Sequence, residues 1–332
     1  MAPQRINWVD SAKGIGILCV ILGHTHVPMD VHTFIYSFHM PLFFLLSGLF
    51  LLKKQKTFKE ELVGKARSLL VPYVLFNLLL LVFFKLLMPA ARGEALQGAD
   101  VLTALQGIVT GDRFHSWLWF LPCLFWAEMV LVACDRLHKN RTWLGLGLLG
   151  LGCLVNHWVG RPLPMSADNV LLAAGFISLG IWFRDHEVKG RWWMFVLLAA
   201  VYAVFAELSL DTTKGKGIEM YLSRYGNYAY FVLAALAAIF LILLLVRKAP
   251  DCKPLCWLGK NSLLIYCTHT MVLQIPYSVE KRLPAILPDK ELQALLVSLL
   301  ATVFVCLVSV PLSRFINRYT PWMLGRFTKP GA

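Results

Sequence analysis

The chain has 332 residues, of which 58% are hydrophobic and 15% charged, and its formal net charge is +13. Since a soluble domain carries about 25% charged residues, this composition excludes a water-soluble globular protein, a disordered chain and a small disulfide scaffold. It predicts an all-α polytopic membrane protein in which most of the surface faces lipid.

A helix needs about 20 mainly apolar residues to cross the hydrocarbon core of a bilayer. About ten continuous apolar runs approach that length, and none shows the alternating pattern of a β-barrel strand. No internal repeat and no linker divides the chain, so we expect 1–332 to form a single integral-membrane domain. The predicted spans are roughly 11–31, 34–52, 68–88, 116–134, 143–159, 169–183, 191–209, 226–246, 258–279 and 292–313.

The basic residues predict the orientation of these helices. If the N-terminus is cytoplasmic, roughly two thirds of the Lys and Arg residues fall in cytoplasmic segments, as the positive-inside rule requires. Both termini are then cytoplasmic. The basic stretch 53–67 predicts contact with anionic lipid headgroups at that face, and it could also gather a polyanionic ligand.

The first predicted helix carries Asp10, Lys13 and His24. Lys13 and His24 are separated by three turns plus about 20°, so they share one face of a helix about 16 Å apart along its axis. A cation at one end and an imidazole at the other would suit a long ligand with an anionic head and a reactive tip. The alternative is a lysine that reaches the interface and a histidine that only packs.

His39 lies near the start of the second predicted helix, which runs antiparallel to the first. Both histidines are a similar number of residues from the outer ends of their predicted helices, so the two imidazoles are expected at one depth. Imidazole can act as a general base near neutral pH. Two unrelated packing histidines remain the alternative.

Weaker signals come from polar residues further along the chain, which could line a cavity. Each has a structural alternative: Trp119, like Trp117, could belong to the interfacial aromatic belt, Glu128 could pair with Lys, Arg or a backbone group, and a mid-helix histidine could bridge helices. Cys252 and Cys256 share a loop, but no further ligands complete a zinc set, and no metal is expected. The cavity-lining candidates are Trp119, Glu128, Asn261 and His269.

Five motifs in chain order resemble the membrane-bound acyltransferase 3 superfamily, and within it the fucose 4-O-acetylase-like proteins. They are WVDSAKGIGILCVILGH at 8–24, FHMPLFFLLSG at 38–48, ARSLLVPY at 66–73, WLWFLPCLF at 117–125 and LGKNSLLIYCTH at 258–269. Together they span nearly the whole chain.

The resemblance implies an enzyme of the bacterial cytoplasmic membrane that uses acyl-CoA, usually acetyl-CoA, to O-acylate a sugar of a surface polysaccharide or a lipid-linked precursor. It implies that His24 is the family's essential histidine and Lys13 its basic partner. Many members have Arg at that position, and Lys lacks the bidentate fork of Arg. By motif position it also implicates His39, Arg67, Trp119 and His269.

These two lines of reasoning give one mechanistic hypothesis. Lys13, with Arg67, holds the CoA phosphates at the cytoplasmic side, and Asp10 orients Lys13. The thioester then lies near His24, which deprotonates a sugar hydroxyl with help from His39. Nucleic acid is not expected as a partner, and a homo-oligomer is left open. The alternatives are a polytopic solute transporter of a glycan-assembly pathway and a scaffold subunit with a degenerate site.

Overall fold

The computed structural model describes residues 6–52, 56–95, 98–112, 118–135, 141–186, 188–282 and 289–327, which are helical apart from short connections. Trp117 lies outside the described residues. The helices are α1 (Asn7–Gly23), α2 (Met29–Gly48), α3 (Phe58–Lys65), α4 (Val71–Leu81), α5 (Met88–Ala91), α6 (Gly98–Thr110), α7 (Phe120–Asp135), α8 (Arg141–Val159), α9 (Ala167–Asp185), α10 (Trp192–Thr212), α11 (Tyr228–Lys248), α12 (Lys253–Lys260), α13 (Ser262–Val272), α14 (Gln274–Glu280) and α15 (Lys290–Tyr319).

The third predicted span is part of one helical segment of 34 residues, Phe58–Ala91. Its pieces α3, α4 and α5 are joined by π-helical turns at Ala66–Leu70 and Val82–Leu87. The segment begins with a capping box, in which the Thr57 hydroxyl accepts from the Glu60 backbone N–H and the Glu60 carboxylate accepts from the Thr57 N–H. Such a cap supplies partners for backbone N–H groups at a helix start.

Within the described residues, five helices are long and apolar enough to cross a membrane: Phe58–Ala91, Pro164–Asp185, Trp192–Thr212, Tyr228–Lys248 and Lys290–Tyr319. Phe120–Cys134 and Trp143–Val159 are shorter apolar helices. Helical, multi-pass membrane architecture is therefore confirmed. The number of ten spans and the cytoplasmic termini stay predictions.

Several predicted spans have different limits in the structure, and two of them are broken within their predicted length. The first, 11–31, ends at Gly23, because Gly is a weak helix former and Pro28 disfavours helical backbone just before it. The second, 258–279, is divided into α12, α13 and α14. Pro276 contributes to the second break, since its ring has no N–H and clashes with the carbonyl four residues earlier.

The described residues form two compact units. The first unit draws on Met1–Leu46, Phe183–Met220 and Arg224–Ser313, and the second on Ser47–Trp182, Tyr221–Ser223 and Arg314–Ala332. That residues 1–332 form a single membrane domain stays a prediction. All the histidines of the candidate site described below belong to the first unit.

In the first unit, α1 packs closely against α12. A Cβ at Gly14 would run into the Leu255 backbone, and one at Gly259 would run into the Asp10 backbone. Small residues at such positions let two helix backbones approach. A contact of 3.3 Å between Ser11 Oγ and Cys256 Sγ lies on the same face. This packing fixes the N-terminal half of α1, which carries Lys13.

Candidate active site

His24 is the C-cap residue of α1 and directly follows Gly23. Its Nδ1 lies 2.9 Å from the Val20 carbonyl oxygen. A carbonyl oxygen only accepts hydrogen bonds, so Nδ1 is the donor and carries the proton of the neutral ring. The lone pair is then at Nε2, which is the nitrogen that a general base needs. His24 is an exposed residue, whereas His39 and His269 are buried.

Two tyrosines hold the end of α1 that carries His24. The Tyr36 hydroxyl donates to the Gly23 carbonyl at 3.2 Å, and the Tyr277 hydroxyl donates to the His24 carbonyl. The last carbonyls of a helix have no partner within the helix. These two bonds therefore satisfy the helix end and fix the backbone from which the His24 ring projects.

His269, on α13, is the imidazole that the structure brings to His24. The two ring centroids are 4.8 Å apart and the rings are nearly perpendicular, at 84°. His269 is buried, and its Nδ1 donates to the Tyr266 carbonyl at 2.8 Å. Its Nε2 is buried and has no hydrogen-bond partner among the described residues. In the neutral form, this second imidazole carries its lone pair on that unpartnered Nε2.

His39 completes this group through Tyr36. Its Nδ1 donates to the Ile35 carbonyl at 2.8 Å, so its lone pair is also at Nε2. The Tyr36 ring centroid lies 4.7 Å from that of His39 and 6.3 Å from that of His24. We call His24, Tyr36, His39 and His269 the imidazole cluster. Tyr36 therefore has a ring neighbour from each of the first two helices, His24 at the end of α1 and His39 in α2.

Lys13 and Asp10 lie towards the other end of α1. The helix is continuous from Lys13 to Gly23 and His24 follows it directly, so helical geometry puts the Cα atoms of Lys13 and His24 on about the same face. Ile17 and Val20, which lie between them on that face, are each only 1% exposed. The stripe is therefore covered by packing and is not an open groove. Asp10 Oδ2 is buried and has no hydrogen-bond partner among the described residues.

Asn261 lies at the break between α12 and α13. Its Nδ2 donates to the Trp257 carbonyl at 2.9 Å. It satisfies a carbonyl at the end of α12, a role that helix ends require. In this way it contributes to the position of α13 and of His269 in the first unit.

The other sequence candidates, Arg67, Trp119 and Glu128, belong to the second unit. Arg67 is exposed in the first π-helical turn, and Trp119 is half-buried. Glu128 is 1% exposed and its Oε1 accepts from Lys65 Nζ at 2.8 Å. Glu128 was expected either to line a cavity or to pair with another group, and in the structure it pairs with a lysine. Sequence reasoning placed Lys65 only within a basic stretch.

Sequence reasoning missed Tyr36 and Tyr277. Tyr36 lies three residues before His39 and so on the same face of α2, a spacing that could have signalled it. Tyr277 follows the break after α13, and nothing in its spacing indicates a contact with His24. The described residues contain no group of three or more His, Cys, Asp or Glu side chains that could hold a metal ion.

A family model described as an acyltransferase domain, that of acyltransferase 3, matches residues 6–314. The chain belongs to the acyltransferase 3 family. It is therefore a membrane O-acyltransferase, with an acyl donor and an acceptor as substrates. No curated protein and no solved structure gives a significant match.

Proposed function

We propose that this acyltransferase 3 protein transfers an acetyl group from cytoplasmic acetyl-CoA to a hydroxyl of a cell-surface polysaccharide or lipid-linked sugar, in the bacterial cytoplasmic membrane. Membership of the family supports an acyl-CoA donor. The resemblance of the five motifs to fucose 4-O-acetylase-like proteins favours a hexose as the acceptor. The enzyme assignment argues against the transporter and the scaffold as alternatives.

The observation that carries this proposal is the state of His24. Its Nδ1–H is bound to Val20, its Nε2 is available, and its ring is exposed. A base in this form needs no prior loss of a proton. It can accept the proton of a hydroxyl as soon as that hydroxyl lies within hydrogen-bond reach.

The proposed reaction includes two proton transfers, one to His24 and one from it. The acceptor hydroxyl gives its proton to His24 Nε2 while its oxygen attacks the thioester carbonyl carbon. The carbon–sulfur bond breaks, and the leaving thiolate takes the proton back from the imidazolium. The products are the sugar ester and free CoA. His269, 4.8 Å from His24 between ring centroids, and His39 are proposed to orient the hydroxyl.

For the donor, we propose that Lys13 contacts CoA phosphates and that Asp10 positions Lys13. The part proposed for Arg67 rests on its motif position alone. Because Ile17 and Val20 are buried, the pantetheine arm is proposed to reach the exposed side of the His24 ring. This differs from the sequence-based hypothesis, in which the arm follows the face between Lys13 and His24.

The test uses purified full-length protein in detergent with acetyl-CoA and a panel of glycosides. Transfer is measured as an acetylated product by mass spectrometry and as release of free CoA. We expect the wild type to acetylate at least one hexose. We expect His24→Ala to lose about 10²-fold to 10⁴-fold in rate, the range for a positioned general base.

The matched control is His157→Ala, which removes an exposed histidine at the end of α8. It should keep the wild-type rate. Full activity in His24→Ala would refute the role given to His24. Absence of any acetyl-CoA-dependent product with every glycoside would contradict the proposed function itself.

A further inference from the structure

The connection between α10 and α11 carries a polar group that the proposed chemistry does not use. Glu219 and Arg224 exchange backbone hydrogen bonds of 2.8 and 2.9 Å, forming an isolated antiparallel bridge. Gly217, at φ +70°, brings this connection against α2, where a Cβ would lie 3.1 Å from His32 Nδ1. A close approach of this kind needs the absence of a side chain.

In this group the Glu219 carboxylate stands between two nitrogen-bearing side chains. Oε1 is 3.8 Å from His32 Nε2, and Oε2 is 3.7 Å from Arg224 Nη1. Charge-assisted hydrogen bonds of this type are about 2.7–2.9 Å long. Both distances are longer than this, so each Glu219 oxygen is attracted electrostatically to its neighbour and can still accept a hydrogen bond from a ligand. Arg224 donates from the same Nη1 to the Lys216 carbonyl at 3.0 Å.

This group is close to the imidazole cluster within the same unit. The His32 ring stacks on Tyr36 with centroids 3.8 Å apart and an interplanar angle of 17°. Since the centroid of Tyr36 is 6.3 Å from that of His24, the rings of His32 and His24 are separated by at most about 10 Å. Glu219 and Arg224 are partly exposed. A monosaccharide with one hydroxyl at His24 could therefore reach them with others.

We propose that His32, Glu219 and Arg224 form a binding subsite for the acceptor sugar, selective for a neutral sugar over an acidic one. This inference rests on the proposed function, because it assigns the part of the site that holds the hydroxyl-bearing substrate. These residues are positioning and specificity residues, since none of them contacts the reacting atoms.

The selectivity follows from the donors and acceptors of the subsite. The carboxylate of Glu219 only accepts hydrogen bonds, and its negative charge already neutralises Arg224. A sugar hydroxyl can donate to Glu219 and accept from Arg224. A uronic acid would add a second carboxylate that only accepts and that is repelled by the first. The subsite therefore favours hydroxyls.

The test compares wild type and Glu219→Gln with a matched pair of glycosides, methyl α-D-galactopyranoside and the corresponding methyl galacturonide. In Glu219→Gln we expect the KM for the neutral glycoside to rise roughly tenfold or more, as for loss of a hydrogen bond to a charged group. The KM for acetyl-CoA and the melting temperature should not change. The wild type should prefer the neutral glycoside. The control Glu207→Gln, an exposed acid on α10, should behave as the wild type.

A KM for the neutral glycoside within twofold of the wild-type value in Glu219→Gln, or a wild-type preference for the galacturonide, would overturn the subsite. If Glu219→Gln melts early, His32→Gln is the second variant, with the same expectations. If the wild type transfers to neither glycoside, the proposed function fails for these acceptors. Saturation-transfer NMR of glycoside binding then still decides the subsite, because binding must weaken in Glu219→Gln.

Discussion

The imidazole cluster of the first unit and the Lys65–Glu128 pair of the second unit place ionisable side chains inside a membrane protein in opposite ways. In the cluster, each histidine donates its Nδ1–H to a backbone carbonyl, and the rings carry no formal charge in that state. In the pair, a carboxylate that is 1% exposed is held by one ammonium group.

This difference distinguishes side chains that are available for proton transfer from side chains that stabilise the fold. The cluster keeps lone pairs on Nε2 and one exposed ring, so it has capacity for a substrate proton. The pair has opposite charges at 2.8 Å, and Glu128 Oε2 has no hydrogen-bond partner among the described residues. A buried charge is costly unless it is compensated. The stability of the second unit therefore depends on Lys65. In the first unit, loss of an imidazole leaves no buried charge without a partner.

The largest effect is expected when Lys65 is replaced by Met. Glu128 is then a buried carboxylate without its cation, and breaking such a pair costs about 3–5 kcal/mol. Lys65 is 24% exposed, so the lower end of this range applies. The melting temperature in detergent should fall sharply, and Lys65→Met/Glu128→Leu should recover most of it. Lys59→Met, an exposed lysine in α3, is the control. An unchanged melting temperature in Lys65→Met would show that the Lys65–Glu128 pair does not stabilise the fold.

The opposite pattern is expected for His269→Gln. Its ring centroid lies 4.8 Å from that of His24, and His269 is proposed to orient the acceptor hydroxyl, so kcat should fall about tenfold, as for the loss of one hydrogen bond. The melting temperature should stay close to that of the wild type, since no charge is left uncompensated. Steady-state kinetics and thermal melting are measured on one preparation, with His157→Gln as control. If His269→Gln kept the wild-type kcat, His269 would be a packing residue.

The common face of Lys13 and His24 could be predicted because it depends on one helix and on fixed helical geometry. The membrane class and the limits of some helices, such as α8, α9 and α11, were predictable because apolar runs depend only on local sequence. The contact between His24 and His269 joins residues 245 positions apart. It depends on the packing of α1 against α12, on the turn at Asn261 and on the rotation of α13, none of which is a local property.

The same reasoning explains two other differences between sequence and structure. The covering of Ile17 and Val20 depends on helices far away in the chain, so helical spacing alone suggested an open face. The helix α6 at Gly98–Thr110 lies between the predicted spans 68–88 and 116–134, where no helix was predicted. At 13 residues it is shorter than a membrane span, so a search for apolar runs of about 20 residues passes over it.

A smaller effect tests whether the cluster needs a fixed backbone. In Tyr277→Phe the His24 carbonyl loses its donor, and a hydrogen bond of this kind contributes about 0.5–1.5 kcal/mol. We expect kcat to fall up to about tenfold, with the KM for acetyl-CoA unchanged, because the His24 ring is less well held. Ser278→Ala, which removes an exposed hydroxyl next in the chain, should have no effect. A wild-type kcat in Tyr277→Phe would show that Tyr36 alone is sufficient.

The smallest effect concerns a second carboxylate, Glu219, which unlike Glu128 is partly exposed. Burial raises the pKa of Glu219 above its usual value, and Arg224 opposes the shift. A raised pKa means that the carboxylate is lost by protonation at a higher pH than for an ordinary Glu. The groups that face it are Arg224 and His32, with the Tyr36 ring behind His32.

As the pH falls towards this raised pKa, the subsite loses its acceptor and the KM for a neutral glycoside should rise a few-fold. In Glu219→Gln the KM should already be high and should not change further over the same range. Initial rates at saturating acetyl-CoA, measured in steps of pH, separate this from the cluster, because protonation of His24 lowers kcat instead. If the wild-type KM for the glycoside stayed constant over this pH range while kcat fell, the pH dependence would belong to the imidazole cluster. Glu219 would then be a structural carboxylate, as Glu128 is.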